Sequence, residues 1–239
     1  VTVGIVLVSH SALIAEGLVQ LARQMAPNVA LVAAGGTDDG GIGTSFDRVT
    51  AAIADADSGG GVAILCDLGS AILTAETALD FLDDAAQASV RIIDAPLVEG
   101  GVAAAVAAQT GSDLDGVEAA ARSAVDIFVA PRTGTDQAGA ATPGSQASAP
   151  AAPFTGYSRS VTILNRDGLH ARPAADFVKL ASTFAPRVTV NGRDAKSLLA
   201  IMALGLVRGK IAEIATEDPA GREAVDALAD LVESGFGEA

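Results

Sequence analysis

Tryptophan is absent from these 239 residues, tyrosine occurs once, and aromatic residues together make up 3 %. A core must therefore be built from Ala, Val, Leu and Ile, which a 50 % hydrophobic content supplies in quantity. With a single cysteine, Cys66, no internal disulfide can form, and a lone thiol fits a reducing cytosol rather than a secreted scaffold. Long apolar runs are missing too. No stretch approaches the roughly 18 continuous apolar residues of a spanning helix, so the mean hydropathy of +0.41 is not read as a membrane protein. The first basic residue is Arg23, so the amino end lacks the charged region of a secretory signal. The chain opens at Val1, which points to a processed start or to numbering that begins after the initiator. Basic residues are scarce, 15 against 29 acidic ones, for a net charge of −14. That balance argues against a nucleic-acid partner, because phosphate backbones are neutralised by Lys and Arg.

The charge is unevenly spread. Residues 1–130 carry 4 basic and 17 acidic side chains, and residues 158–239 carry 10 and 11. Between them, residues 131–157 are mostly Ala, Pro, Gly, Ser and Thr without apolar periodicity, and predict a flexible linker with a reach of roughly 25–30 Å. The chain thus divides into residues 1–130, a linker at 131–157, and residues 158–239.

In the first part, apolar runs alternate with helical patterns. Strands are expected at Val3–Val8, Val29–Ala34, Val62–Cys66 and Val90–Ile93. Helices are expected at Ser11–Ala26, Phe46–Ala54, Ala71–Leu82, Gly101–Gln109 and Asp113–Val129. Such alternation implies a doubly wound α/β domain with a mainly parallel sheet, whose ligands bind at the carboxyl ends of the strands. The second part has another rhythm: strands at Ser160–Leu164, Val188–Val190 and Lys210–Thr216, and helices at Ala171–Phe184, Ser197–Leu204 and Gly221–Glu233. Asn191-Gly192 marks a tight turn, and the whole predicts a small antiparallel α+β domain.

Only two histidines occur, and each sits where chemistry would want one. His10, flanked by Ser9 and Ser11, ends the first buried strand beside a helix amino terminus, where unpaired N–H groups favour phosphate. Asp67 ends the third strand at the same sheet edge, followed by Gly69 and Ser70 at another helix start. A carboxylate there accepts the proton of one imidazole nitrogen and leaves the other as a nucleophile. One His and one Asp make a poor metal site, so no metal is expected. Ser70 is also placed to cap the following helix, the ordinary structural role for such a residue. His170 stands in NRDGLHARPAADFVKLAS (residues 165–182), directly before a helix whose first turn accepts Pro173. The N–H groups of Ala171 and Arg172, with the Arg172 guanidinium, suit a phosphoryl group on that imidazole. In GGTDDGGIGTS (residues 35–45), Gly41-Ile42-Gly43 lacks the third glycine and follows the wrong strand for a dinucleotide loop. Thr37, Gly43 and Thr44 are instead candidates to line the His10 crevice. Ser197 either caps a short helix or serves as a modification site, and Leu198, Leu199 and Met202 either join the core or form part of a docking patch.

GLHARPAA and DAKSLLAIMALGL (residues 194–206) resemble HPr, the phosphocarrier of the bacterial phosphoenolpyruvate-dependent phosphotransferase system, and the likeness extends over residues 158–239. VSHS, IAEG, DLGSAILTAETAL and APLVEG (residues 95–100) resemble the mannose-type EIIA family, and within it the DhaM phosphotransferase subunits of dihydroxyacetone kinase. The resemblance implies an open-faced antiparallel sandwich for the second domain. It also implies phosphoenolpyruvate–glycerone phosphotransferase activity in the cytoplasm, with phosphate carried on His170 through Nδ1 and then on His10 through Nε2. A separate enzyme I is expected to supply the phosphate, since the sequence ends at Ala239, and ADP held on DhaL to receive it. The resulting ATP would phosphorylate dihydroxyacetone bound to DhaK. By the same resemblance Ser197 matches a serine that HPr kinase modifies, part of the Leu198–Met202 patch is exposed for docking, and the EIIA-like domain forms a homodimer, for which the Ala-rich surface of residues 101–130 is a candidate. A mannose-type sugar transporter component and a phosphorylation-sensed regulatory module are the alternative readings.

Overall fold

The computed structural model describes residues 1–125, 156–166 and 168–237. The expected linker therefore lies, up to residue 155, outside the described residues. Its last residue, Tyr157, belongs instead to the first strand of the second domain.

In the first domain the strands are β1 (Gly4–Ser9), β2 (Leu31–Gly35), β3 (Val62–Cys66) and β4 (Val90–Ile93). They form one parallel sheet in the order β2-β1-β3-β4. The two central strands are buried along their whole length, as continuous apolar runs require when helices cover both faces. The helices are α1 (Ala12–Arg23), α2 (Phe46–Ala56), α3 (Gly69–Asp80), α4 (Asp84–Ser89), α5 (Leu97–Gln109) and α6 (Leu114–Arg122). Ile5, Leu7 and Leu65 face α1, α5 and α6, whereas Val6, Val8 and Ile64 face α2 and α3. Successive residues of each strand thus feed opposite core layers, the period of two that a pleated strand imposes. From β1 the chain winds first to β2 on one side and later to β3 on the other. The crevice at this switch point lies at the carboxyl ends of β1 and β3. Several element ends differ from the sequence expectation. Helix α3 starts two residues earlier than Ala71, and α5 starts at Leu97 because Pro96 supplies its cap position without competing for an N–H. The short α4 has no counterpart in the apolar pattern; Asp83 starts it by accepting from the N–H groups of Ala85 and Ala86.

The second domain has β5 (Tyr157–Thr162), β6 (Thr189–Val190), β7 (Arg193–Asp194) and β8 (Ile211–Thr216), with helices α7 (Ala171–Ser182), α8 (Leu198–Met202) and α9 (Arg222–Glu233). The sheet is antiparallel in the order β5-β8-β6-β7. Buried Phe177, Val161, Ile214 and Leu228 fill the layer between sheet and helices. The Asn191-Gly192 turn joins β6 to β7 with φ of 47° and 78°, the double positive φ that a two-residue hairpin needs. Among the described residues no helix is long and apolar enough to cross a membrane.

The two domains touch. Leu199 of α8 packs on Ala103 and Ala124, with Ala120 beside them. The alanine-rich face expected for self-association therefore holds the second domain.

Candidate active sites

The β1 strand delivers His10 to the switch-point crevice, and β3 delivers Asp67 opposite it. Asp67 Oδ1 lies 2.8 Å from His10 Nδ1. Its Oδ2 accepts from the His10 backbone N–H at 2.8 Å and from the Ser9 hydroxyl at 2.8 Å. The Leu68 N–H donates to Oδ1 at 2.7 Å. A carboxylate only accepts, so the ring proton resides on Nδ1 and the lone pair on Nε2. That second nitrogen lies 2.6 Å from Ser70 Oγ. The His10 and Asp67 side chains retain 21 % and 17 % of their surface exposed, so the pair is sheltered yet open at Nε2.

Desolvation pushes the Asp67 carboxyl upward, but hydrogen bonds from the His10 backbone, the His10 ring, Ser9 and Leu68 together outweigh it and hold the group below the usual carboxylate range. Its folded value is depressed below the ordinary 3.8. The stability it contributes is therefore complete above that ordinary value and is lost as pH falls through the lowered one. Asp67→Asn is expected to flatten the acid limb of unfolding below about pH 4, followed by circular dichroism; an unchanged acid limb would contradict the linkage. Burial pushes the neighbouring Cys66 thiol up to about 12, leaving it neutral and inert.

Two helix starts flank the ring. Neither α1 nor α3 has a side-chain cap: Ser11 and Leu68 occupy the cap positions without bonding the helix. Ser70 does not cap α3 as its position suggested, because its hydroxyl is turned to His10. Uncapped first turns leave amides to receive an anion. Gly69 is the first residue of α3 and is exposed, with open space where a Cβ would stand.

The loop candidates divide. The Gly43 N–H donates to the His10 carbonyl at 2.9 Å, tying the loop to the nucleophile's backbone. Thr44 reaches the site through Thr74, its hydroxyl 2.7 Å from that of Thr74, which donates to the Ser70 carbonyl at 3.0 Å. Thr37 instead shapes its own turn, bonding Asp39 and accepting from Gly41. Sequence reasoning missed Thr74; its place one helical turn after Ser70 was the available signal.

In the second domain His170 occupies the cap position of α7, with no side-chain cap bond, and its carbonyl accepts from Ala174 at 2.9 Å. Ala171 and Arg172 form the first turn, with Arg172 exposed and Pro173 buried. Gly168 positions the approach: its φ is +72°, and a Cβ there would stand 2.5 Å from the Leu206 carbonyl. Ser197 lies on another element, capping α8 by accepting from Ala200 at 3.3 Å. Lys196 is held by the Phe184 carbonyl at 2.6 Å and so is less free to steer a partner than its charge implied.

Comparison with known proteins agrees with this division into two sites. Residues 4–118 match the EIIA-man family, described as PTS system fructose IIA component, and residues 157–234 match PTS-HPr, described as PTS HPr component phosphorylation site. A PEP-dependent dihydroxyacetone kinase 2 phosphoryl donor subunit DhaM of Listeria innocua serovar 6a is 47 % identical over 105 residues, covering 44 % of this chain and 84 % of that protein. The chain belongs to the DhaM family. The DhaM of Escherichia coli strain K12 is 37 % identical over 249 residues, 99 % of this chain but 51 % of the relative. The chain thus spans about half the length of that DhaM protein. Phosphocarrier protein HPr of Vibrio cholerae is 44 % identical over 81 residues, covering 32 % of this chain and 95 % of that protein.

Proposed function

We propose that this chain is a phosphohistidine relay, taking phosphate from phosphoenolpyruvate by way of enzyme I onto His170, passing it to His10, and delivering it to ADP held on DhaL for the phosphorylation of dihydroxyacetone on DhaK. The observation that carries this reading is the His10 ring itself, its Nδ1 bound to Asp67 and its Nε2 turned outward between two uncapped helix starts.

In the transfer to His10, the Nε2 lone pair attacks phosphorus in line with the departing Nδ1 of His170. One N–P bond forms as the other breaks, and the leaving electron pair returns to the His170 ring. Such transfers ask for positioning and charge stabilisation rather than further covalent chemistry. Asp67 stabilises the positive charge that develops on the His10 ring. Ser70 and the first-turn amides of α3 receive the equatorial oxygens, as do the amides of Ala171 and the Arg172 guanidinium on the donor side. In the last step a terminal phosphate oxygen of ADP attacks, the Nε2–P bond breaks, and ATP leaves with DhaL. The DhaM relatives' names and the EIIA-man and HPr matches support this order. In the proposal this chain carries phosphate covalently, has no tightly bound cofactor and works in the cytoplasm. It also pairs as a homodimer through the EIIA-like domain, which sedimentation at varied concentration tests.

Mass spectrometry of the chain loaded with phosphoenolpyruvate and enzyme I tests the reading. Added DhaL–ADP is expected to discharge His10; phosphate retained there refutes the dihydroxyacetone branch and favours the transporter or sensor alternatives. The acidic first domain and the exposed Arg172 and Lys179 of the second predict a further result. Transfer between the separately produced domains slows as salt rises, and a rate indifferent to ionic strength would exclude electrostatic steering.

A further inference from the structure

The contact between the domains is built on one leucine. Leu198 and Ile201 of α8 join the second domain's own core, whereas Leu199 clusters with Ala103 of α5 and Ala124 of the first domain. Leu199 is 3 % exposed. Beside it lies a cleft of about 500 Å³, lined on one side by Ala107, Thr110 and Ser112 and on the other by Ser182, Lys196 and Ser197. The seat is therefore anchored at one point and unfilled around it, a contact suited to release.

This seat is away from the transfer site. Helix α5 starts near the His10 edge of the sheet and runs back, so Thr110–Ser112 lie at the opposite edge. Around His10 a rim of apolar side chains stays uncovered: Leu13 is 80 % exposed, Ile42 78 %, Leu68 61 % and Leu73 63 %. A second domain seated for transfer would cover that rim, as exposed apolar patches at functional sites are covered by partners.

We infer that the α5–α6 face is a parking seat for the HPr-like domain, which holds α8 by Leu199 in a closed state that withholds His170 from enzyme I and from His10. The gating rests on the relay reading above; the seat itself does not. Loading of His170 then scales with the fraction of chains whose second domain is released, and removing the leucine contact raises that fraction by about tenfold.

The test uses the full chain with Ala120→Glu, which sets a carboxylate beside the leucine seat without altering either histidine site. Amide exchange in residues 199–203 is expected to rise about tenfold, the radius of gyration to grow, and His170 to be loaded several-fold faster by phosphoenolpyruvate and enzyme I. Unchanged exchange in a variant whose β1 and β3 amides stay protected overturns the seat. Faster exchange with an unchanged loading rate overturns the gating. Should Ala120→Glu not fold, Leu199→Ser on the other domain takes its place in the exchange and scattering measurements, and an unchanged radius of gyration there overturns the seat. Failure of the wild-type chain to take any phosphate refutes the relay reading and the gating with it. That failure is recognisable because exchange and scattering need no phosphate.

Discussion

Asp67→Asn is expected to slow phosphoryl transfer to His10 by about 10³–10⁴-fold while leaving the loading of His170 unchanged. The size follows from four hydrogen bonds that all point at one carboxylate. An amide keeps one oxygen and replaces the other with a donor. If the NH₂ faces Nδ1, the ring must accept there, its proton moves to Nε2, and the nucleophilic lone pair is lost. If it faces the other way, it meets the His10 backbone N–H, a donor against a donor, and the nucleophile's main chain shifts. In both orientations the negative charge that stabilises the phosphorylated ring is gone. Rapid-quench measurement of transfer from phosphorylated His170 reads the effect. A loss below about tenfold in a folded variant would show that Asp67 acts as scaffold alone.

His170→Ala is expected to leave both histidines without phosphate, whereas His10→Ala still takes one acid-labile phosphate from phosphoenolpyruvate and enzyme I. The asymmetry is the signature of a series relay. Each imidazole stands beside a helix start, but in the proposed reading only His170 faces the upstream donor. Mixing the two variants should restore phosphate on His10 of the His170→Ala chain, because transfer between domains needs collision and in-line geometry rather than continuity of the chain. Phosphate on His10 of the His170→Ala chain alone, supplied directly by enzyme I, would overturn the order.

Much of the His10 site was legible because its parts sit at strand ends. Apolar runs fix where β1 and β3 stop, and in a parallel sheet those stops meet at one edge. That places His10 and Asp67 together without any knowledge of packing. What the pattern cannot carry is side-chain direction. Ser70 reads as a cap, yet its hydroxyl turns to Nε2, because Leu68 takes the cap position once α3 starts at Gly69. Thr74 was invisible for the same reason: its bridge from the Ser70 carbonyl to Thr44 exists only when the loop folds over α3. Lys196 looked like free positive charge until the end of α7 brought the Phe184 carbonyl to it. At His170 the local signal is complete, since cap, first-turn proline and glycine are consecutive in the chain.

By itself the sequence determined two dissimilar domains, a parallel sheet and an antiparallel one, and an imidazole at a helix start in each. These follow from local periodicity and from residues adjacent along the chain, which act over a few ångströms and need no distant partner. Only the tertiary structure decided which nitrogen of His10 is open, which loop residues reach it, and that Leu199 leaves its own core to sit on the α5–α6 face. Each of those depends on groups 30 to 100 residues apart, brought within contact by packing that no local pattern encodes.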